Sequence, residues 1–160
     1  PNRALLMDRI DTAVARGKRE KTSFALLFID LDGFKTVNDT QGHEAGDKVL
    51  STIANRINGH IREMDTAARI GGDEFVILLT DVSGTASIKL FAEKTVKLVS
   101  TPCPIGDCEC KVSASIGIAL YPEDGQESDT LLNKADEAMY RVKNGGRDNF
   151  GFADGSAEQD

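Results

Sequence analysis

Basic charge is in short supply: 19 Lys and Arg against 26 Asp and Glu leave a formal net charge of −7 over 160 residues. Such a balance argues against sequence-independent binding to DNA, RNA or anionic lipid, which needs clustered cations. A polyanion held here has to be a small one, gripped by a local site or a metal. Cysteine is scarce too, with Cys103, Cys108 and Cys110 confined to eight residues. An odd number without distant partners makes no disulfide scaffold and fits a reduced, cytoplasmic setting. Zinc would want a fourth ligand, and neither His43 nor His60 is near in sequence, so the thiols are read as residues of a turn and strand. No apolar stretch approaches the roughly 18 residues of a membrane span, and no signal-peptide pattern opens the sequence. Internal repeats and dividing linkers are also missing. The expectation is one soluble domain with no direct membrane contact, of ordinary globular composition at 40% hydrophobic and 28% charged.

Apolar residues recur with helical spacing at Leu5, Leu6, Ile10, Ala13 and Val14, predicting a helix from Pro1 to about Arg19. Phe24 to Ile29 is a continuous apolar run of strand length, and it ends in Asp30-Leu31-Asp32-Gly33. A short helical turn is expected over Phe34 to Asp39, then a helix from about Glu44 to Ile61 with Val49, Leu50, Ile53 and Ile57 on one stripe. Ala67 to Ile70 and Phe75 to Leu79 flank Gly71-Gly72-Asp73-Glu74, which reads as a β-hairpin with two acids at its tip. Glycine pairs favour tight hairpins because they reach positive φ, and their missing side chains let a phosphate approach the backbone. Further on come a helix over Ala86 to Val99, a glycine-interrupted strand over Lys111 to Leu120 and a helix over Leu131 to Val142. Strands interleaved with helices predict an α/β sandwich, a mixed and mainly antiparallel sheet flanked by helices. The stretch from Gly151 to Asp160 is rich in Gly, Ala and acid and is expected to fray.

In a mixed sheet a strand end and a neighbouring hairpin tip can lie side by side, which would gather Asp30, Asp32, Asp73 and Glu74. Clustered carboxylates repel unless a cation joins them, and hard oxygen ligands suit Mg²⁺ or Mn²⁺ when substrate phosphates complete the coordination. Two such ions bridging an attacking oxygen and a phosphate is the logic of polymerases. Acids that merely mark exposed strand ends are the alternative.

The segments Phe28-Ile29-Asp30-Leu31-Asp32-Gly33-Phe34-Lys35, Asn38-Asp39, Gly42-His43-Glu44-Ala45-Gly46-Asp47, Arg69-Ile70-Gly71-Gly72-Asp73-Glu74-Phe75, Ser115 to Ala119, Ala135 to Tyr140 and Lys143 to Arg147 resemble, in order and spacing, the GGDEF domain of bacterial diguanylate cyclases. The resemblance implies a fold similar to nucleotidyl cyclases and the polymerase palm. The implied reaction condenses two GTP into cyclic di-GMP, with Mg²⁺ or Mn²⁺ as cofactor and a homodimer needed for catalysis. By the same resemblance Asp30, the Leu31 carbonyl, Asp73 and Glu74 hold metal, Asp73 is the proton acceptor for the 3′-hydroxyl, and Lys35 stabilises phosphate charge. Asn38 and Asp47 resemble guanine readers. A carboxylate can accept from guanine N1–H and its exocyclic amine, which adenine cannot offer, so Asp47 predicts GTP over ATP. His43 matches a substrate-side position, although a histidine at a helix start also serves as a cap. Gly71 and Gly72 would border the substrate, and Lys143 and Arg147 resemble the pair that grips the triphosphate.

Arg62 and Asp65 look like the family's inhibitory product site for cyclic di-GMP, with Lys94 where many members place a second arginine. Lysine keeps the charge and loses the planar fork. Two other departures stand out. The family's usual Asp-x-Leu-Thr-Gly-Leu turn before Pro1-Asn2-Arg3 is missing, implying a piece of a larger protein, its sensor upstream and its parent tethered or untethered to a membrane. Arg147 is followed by Asp148-Asn149 where the family places Asn first. The resemblance thus sets a GGDEF domain over residues 1–152 and a disordered tail over 153–160. A second reading remains open, a regulatory module that binds GTP or cyclic di-GMP and controls an attached domain without synthesis.

Overall fold

A computed structural model describes residues 2–154. The chain runs α1 (Arg3–Glu20), β1 (Phe24–Asp32), α2 (Phe34–Gln41), α3 (His43–His60), β2 (Thr66–Arg69), β3 (Glu74–Leu79), α4 (Thr85–Ser100), β4 (Cys103–Ile105), β5 (Cys108–Cys110), β6 (Ser113–Tyr121), α5 (Ser128–Asn144) and β7 (Asn149–Phe152). Five strands form one sheet in the order β2-β3-β1-β6-β7. Its pairs are antiparallel except the parallel β6–β7 edge. Among the described residues no helix is long and apolar enough to cross a membrane.

Both faces of the sheet are covered, which is why β1 reads as an unbroken apolar run rather than an alternation. Ala25, Leu27, Ile29 and Leu31 face a core shared with Val49, Ile53 and Ile57 of α3 and Ile88, Ala92 and Val99 of α4. Phe24, Leu26 and Phe28 face the other core, with Leu6, Ile10 and Val14 of α1 and Leu131, Leu132, Ala135 and Met139 of α5. Asn2 caps α1, its side-chain oxygen accepting from the Leu5 N–H at 3.0 Å.

Three local expectations change. The cysteines lie on a separate two-stranded ribbon, β4 with β5, where Cys103 opposes Cys110 and Ile105 opposes Cys108. The stretch expected to fray from Gly151 instead begins inside β7: Gly151 and Phe152 are buried, paired with Gly117 and Ile118. Four residues with a central glycine show no period, and only the parallel partner strand makes them a strand. Residues 155–160 of that stretch lie outside the described residues. Finally, Gly117, read as an interruption, is a notch. A Cβ there would strike the Ala135 carbonyl oxygen and the Met139 nitrogen of α5, so its absence lets that helix sit directly on β6.

Gly117→Val therefore pushes backbone against backbone and cannot be absorbed by a rotamer change. We expect a stability loss of roughly 3 kcal/mol, at the upper end of ordinary overpacking, measured by urea unfolding. A change within experimental error would show that α5 does not depend on the notch.

Candidate active site

Sheet register places the acids. Asp30 lies directly opposite Glu74 across β1–β3 and opposite Ser115 across β1–β6. The loop joining β2 to β3, Ile70 to Asp73, closes through the Ile70 N–H on the Glu74 carbonyl at 2.9 Å and is tied to β1 by the Leu31 N–H on the Asp73 carbonyl at 3.1 Å. The hairpin tip and the strand end are thus one unit. Neither Gly71 nor Gly72 uses left-handed φ, contrary to the expected reason for the pair. A Cβ on Gly71 would collide with the Glu74 carboxylate, whereas Gly72 faces open space. The loop is held instead by Arg69, whose Nε donates to the Gly71 and Gly72 carbonyls at 3.1 Å each and whose Nη2 donates to Gly72 at 2.9 Å. Arg69 was not singled out from sequence, since an arginine before a turn carries no pattern of its own.

Crowding the acids has an electrostatic consequence. Burial raises the Asp73 carboxyl above its usual range, Asp30 beside it raises it further, and Lys143 opposes the shift. Glu74 is raised by burial and then by Asp30, Asp73 and Asp136, against Arg3. Asp136 of α5 is raised by burial and by Asp30 and Glu137. Asp136 and Arg3 therefore belong to the neighbourhood of the site, although neither was a candidate. Lys143 was expected on a triphosphate; here its Nζ donates to Asp30 Oδ2 at 2.7 Å. Asp30 Oδ1 is buried with no hydrogen-bond partner. An orphaned carboxylate oxygen beside two further acids is a hard-oxygen donor set that fits Mg²⁺ or Mn²⁺. Among the described residues no three acidic, His or Cys side chains form a ready-made cage, so the fit is of the kind in which phosphates supply part of the coordination. Asp32, grouped with these acids by sequence, is engaged elsewhere: it accepts from the Ser113 and Ser115 hydroxyls and the Asp148 N–H.

Lys35 is exposed on the first turn of α2. Asn38 packs over Gly46, where a Cβ would strike its side-chain oxygen, and exposed Asp47 follows Gly46 in the chain. Gly42 is the N-cap of α3 and no side chain caps it, so His43 is not serving as a cap. Arg147 is exposed with φ 64°. Arg62 and Asp65 form more than a surface ion pair. Asp65 is buried, accepting from the Arg62 N–H, Nε and Nη2 at 3.0 Å each and from the Thr80 N–H at 3.2 Å, and Arg62 Nη2 also reaches the Thr80 carbonyl at 2.6 Å. A cavity of about 240 Å³ opens beside Arg62, and α4 lines it with Ser87, Ile88 and Phe91. Lys94 is exposed on the same helix and is not part of that lining.

The family model "Diguanylate cyclase, GGDEF domain" matches residues 1–149. This chain belongs to the GGDEF family. Over 156 residues, 98% of the chain, it is 49% identical to a protein of Pseudomonas aeruginosa named bifunctional diguanylate cyclase/cyclic di-GMP phosphodiesterase MucR, and it spans 23% of that protein. The crystal structure of the GGDEF domain of YfiN (TpbB) from P. aeruginosa superimposes with a TM-score of 0.92 at 40% identity, covering 95% of both chains. The GGDEF domain of DgcB from Caulobacter crescentus, solved in complex with c-di-GMP, gives 0.89 at 28% identity, covering 96% of this chain and 91% of that one. The GGDEF chain thus spans about a quarter of the length of MucR and nearly all of the solved domains.

The order Asp148-Asn149 in this GGDEF domain is structurally tolerable. Asp148 has φ 48°, and Asp joins Asn among the residues that most readily take the left-handed region. The acid cluster also predicts a pH signature. A folded-state carboxyl pKa above the unfolded value, 3.8 for Asp73, means that the folded domain binds more protons. Its stability then falls as pH rises through the interval between the two values and stays lowered above it. Asp73→Asn in metal-free buffer is expected to raise the thermal midpoint at pH 7 and to lose that advantage as pH drops toward 3.8. A midpoint difference independent of pH would show that Asp73 is not electrostatically strained.

Proposed function

We propose that this domain is a half-site of a diguanylate cyclase: two copies meet face to face, each holding one GTP, and each 3′-hydroxyl attacks the other's α-phosphate. Two P–O bonds form, two pyrophosphates leave, and the product is cyclic di-GMP. The observation that carries the reading is Asp30 directly opposite Glu74 and electrostatically coupled to Asp73, with one buried Asp30 oxygen lacking a hydrogen-bond partner. The names of the relatives and the c-di-GMP bound to the DgcB domain point the same way.

Asp30, the Leu31 carbonyl, Asp73 and Glu74 are the residues we assign to hold Mg²⁺ or Mn²⁺. When bound, the ion would neutralise phosphate charge and lower the pKa of the attacking hydroxyl. Asp73 is assigned to accept the 3′-hydroxyl proton. Lys35, Lys143 and Arg147 supply positive charge for the phosphates, whose leaving oxygens gain negative charge as the transition state forms. Gly72, open on its outer side, allows phosphate against backbone. Asn38 and Asp47 read guanine, and His43 lies on the same substrate side. Because neither copy can close the ring alone, the isolated domain depends on chance dimerisation. A cytoplasmic location supplies the nucleotide such chemistry needs.

The test is incubation of concentrated domain with GTP and Mg²⁺, followed by chromatography of the nucleotides. Linear or cyclic dinucleotide is expected, and Asp73→Ala should abolish it. Bound but unchanged GTP would instead identify a regulatory receptor.

Product inhibition is part of the reading, with Arg62, Asp65 and Lys94 as the site. The Arg62 fork is pre-aimed by Asp65, which limits the entropy lost on binding. Arg62→Ala is expected to weaken cyclic di-GMP binding about tenfold or more and to lower stability by about 1–3 kcal/mol, because buried Asp65 loses two charge-assisted bonds. Calorimetric titration and thermal melts read the two effects separately, and unchanged product affinity would remove Arg62 from the site.

A further inference from the structure

Asp32 has the wrong partners for a metal ligand and the right ones for another task. It is 6% exposed, and it accepts from Ser113 Oγ at 2.8 Å, from Ser115 Oγ at 2.8 Å and from the Asp148 N–H at 3.1 Å. The two hydroxyls come from β6, the neighbouring strand, and fix the carboxylate on the sheet. The third donor belongs to the peptide immediately after Arg147, in the turn between α5 and β7. That turn adopts an unusual path: Gly146 has φ 129°, Arg147 φ 64° and Asp148 φ 48°. Two consecutive residues with side chains in left-handed backbone persist only where the surroundings over-determine them. On the helix side the turn is held by the Arg147 N–H on the Val142 carbonyl at 3.0 Å. On the strand side Asp32 anchors it.

We infer that Asp32 is a positioning residue for the triphosphate: by gripping the peptide that follows Arg147 it holds that arginine in the conformation that meets the phosphates. The inference rests on the proposed reading, in which Arg147 grips the triphosphate. A carboxylate suits the role because it offers acceptors alone to three donors, and a donor in its place would face another donor. Guanine recognition by Asn38 and Asp47, carried on α2 and α3, is left untouched.

The test compares binding of 3′-deoxyGTP, which lacks the attacking hydroxyl, with binding of GMP, both in Mg²⁺ by calorimetry. Asp32→Asn is expected to weaken 3′-deoxyGTP about tenfold, the scale of a lost charge-assisted bond, while GMP affinity stays within about twofold. The double variant with Arg147→Ala should bind 3′-deoxyGTP no more weakly than Arg147→Ala alone, because the two residues act as one unit. Ser113→Ala with Ser115→Ala, which frees the carboxylate from the sheet, should move the ratio in the same direction and serves if Asp32→Asn fails to fold. Equal weakening of both nucleotides, or no change, with Arg147→Ala still selective for the triphosphate, overturns the inference. If Arg147→Ala is itself unselective, the triphosphate reading falls and takes this inference with it.

Discussion

Asp30 and Glu74 face each other across two paired strands, an arrangement that a sheet ordinarily avoids because like charges directly opposite destabilise it. The register leaves no escape: Asp30 follows six strand residues packed between two cores, and Glu74 begins the strand that pairs with β1. A slip by one residue would turn every core side chain of β1 to the wrong face. The apolar core thus enforces the electrostatic strain, and Asp73, stitched to Leu31 through its carbonyl, completes it. The consequence is that the Asp73 and Glu74 carboxyls are raised above their ordinary range, first by burial and then by the neighbouring acids.

Arg62 and Asp65 solve a similar problem in the opposite way. Asp65 is buried, and its charge is met by a forked guanidinium and two backbone N–H groups, so little is left to attract a cation. Asp32 is likewise saturated by three donors. The contrast lies in how the carboxylate oxygens are partnered. Asp32 and Asp65 are engaged through both oxygens, whereas Asp30 keeps one buried oxygen without a partner.

Much of this was legible from residue order. Long helices betrayed themselves by their stripes, and β1 by an apolar run ending in acids, because burial on both faces removes every polar residue from the strand until it leaves the core. That the strand end and the hairpin tip can lie side by side is legible in the sequence, while their register comes from the pairing of β1 with β3. What escaped was set by partners distant in the chain. Asp32 groups with Asp30 in the sequence because both end the first strand; the hydroxyls that engage it lie 81 and 83 residues away. Gly117 signals only a weak strand until the backbone of α5 is seen against it. β7 exists because β6 offers an edge, and its four residues carry no period. The glycines of the hairpin tip mark the turn as expected, but neither takes the positive φ offered as one reason for the pair.

Helix α5 is where these strands of physics meet. Its buried face, Leu131, Leu132, Ala135, Ala138, Met139 and Val142, locks it to the sheet, and the small residues Ala135 and Ala138 sit over the Gly117 notch. The same rigid body carries Asp136 beside the acids, Lys143 onto Asp30, and Arg147 in the turn that follows. A helix held by close backbone approach cannot slide without opening a cavity or making a clash. Negative and positive elements of the site therefore keep a fixed spacing. A displacement of α5 would withdraw Lys143 from Asp30 and strain the Asp148 to Asp32 bond together. Packing at one glycine thus couples the acid cluster to the cationic turn, with the sheet as the common reference for both.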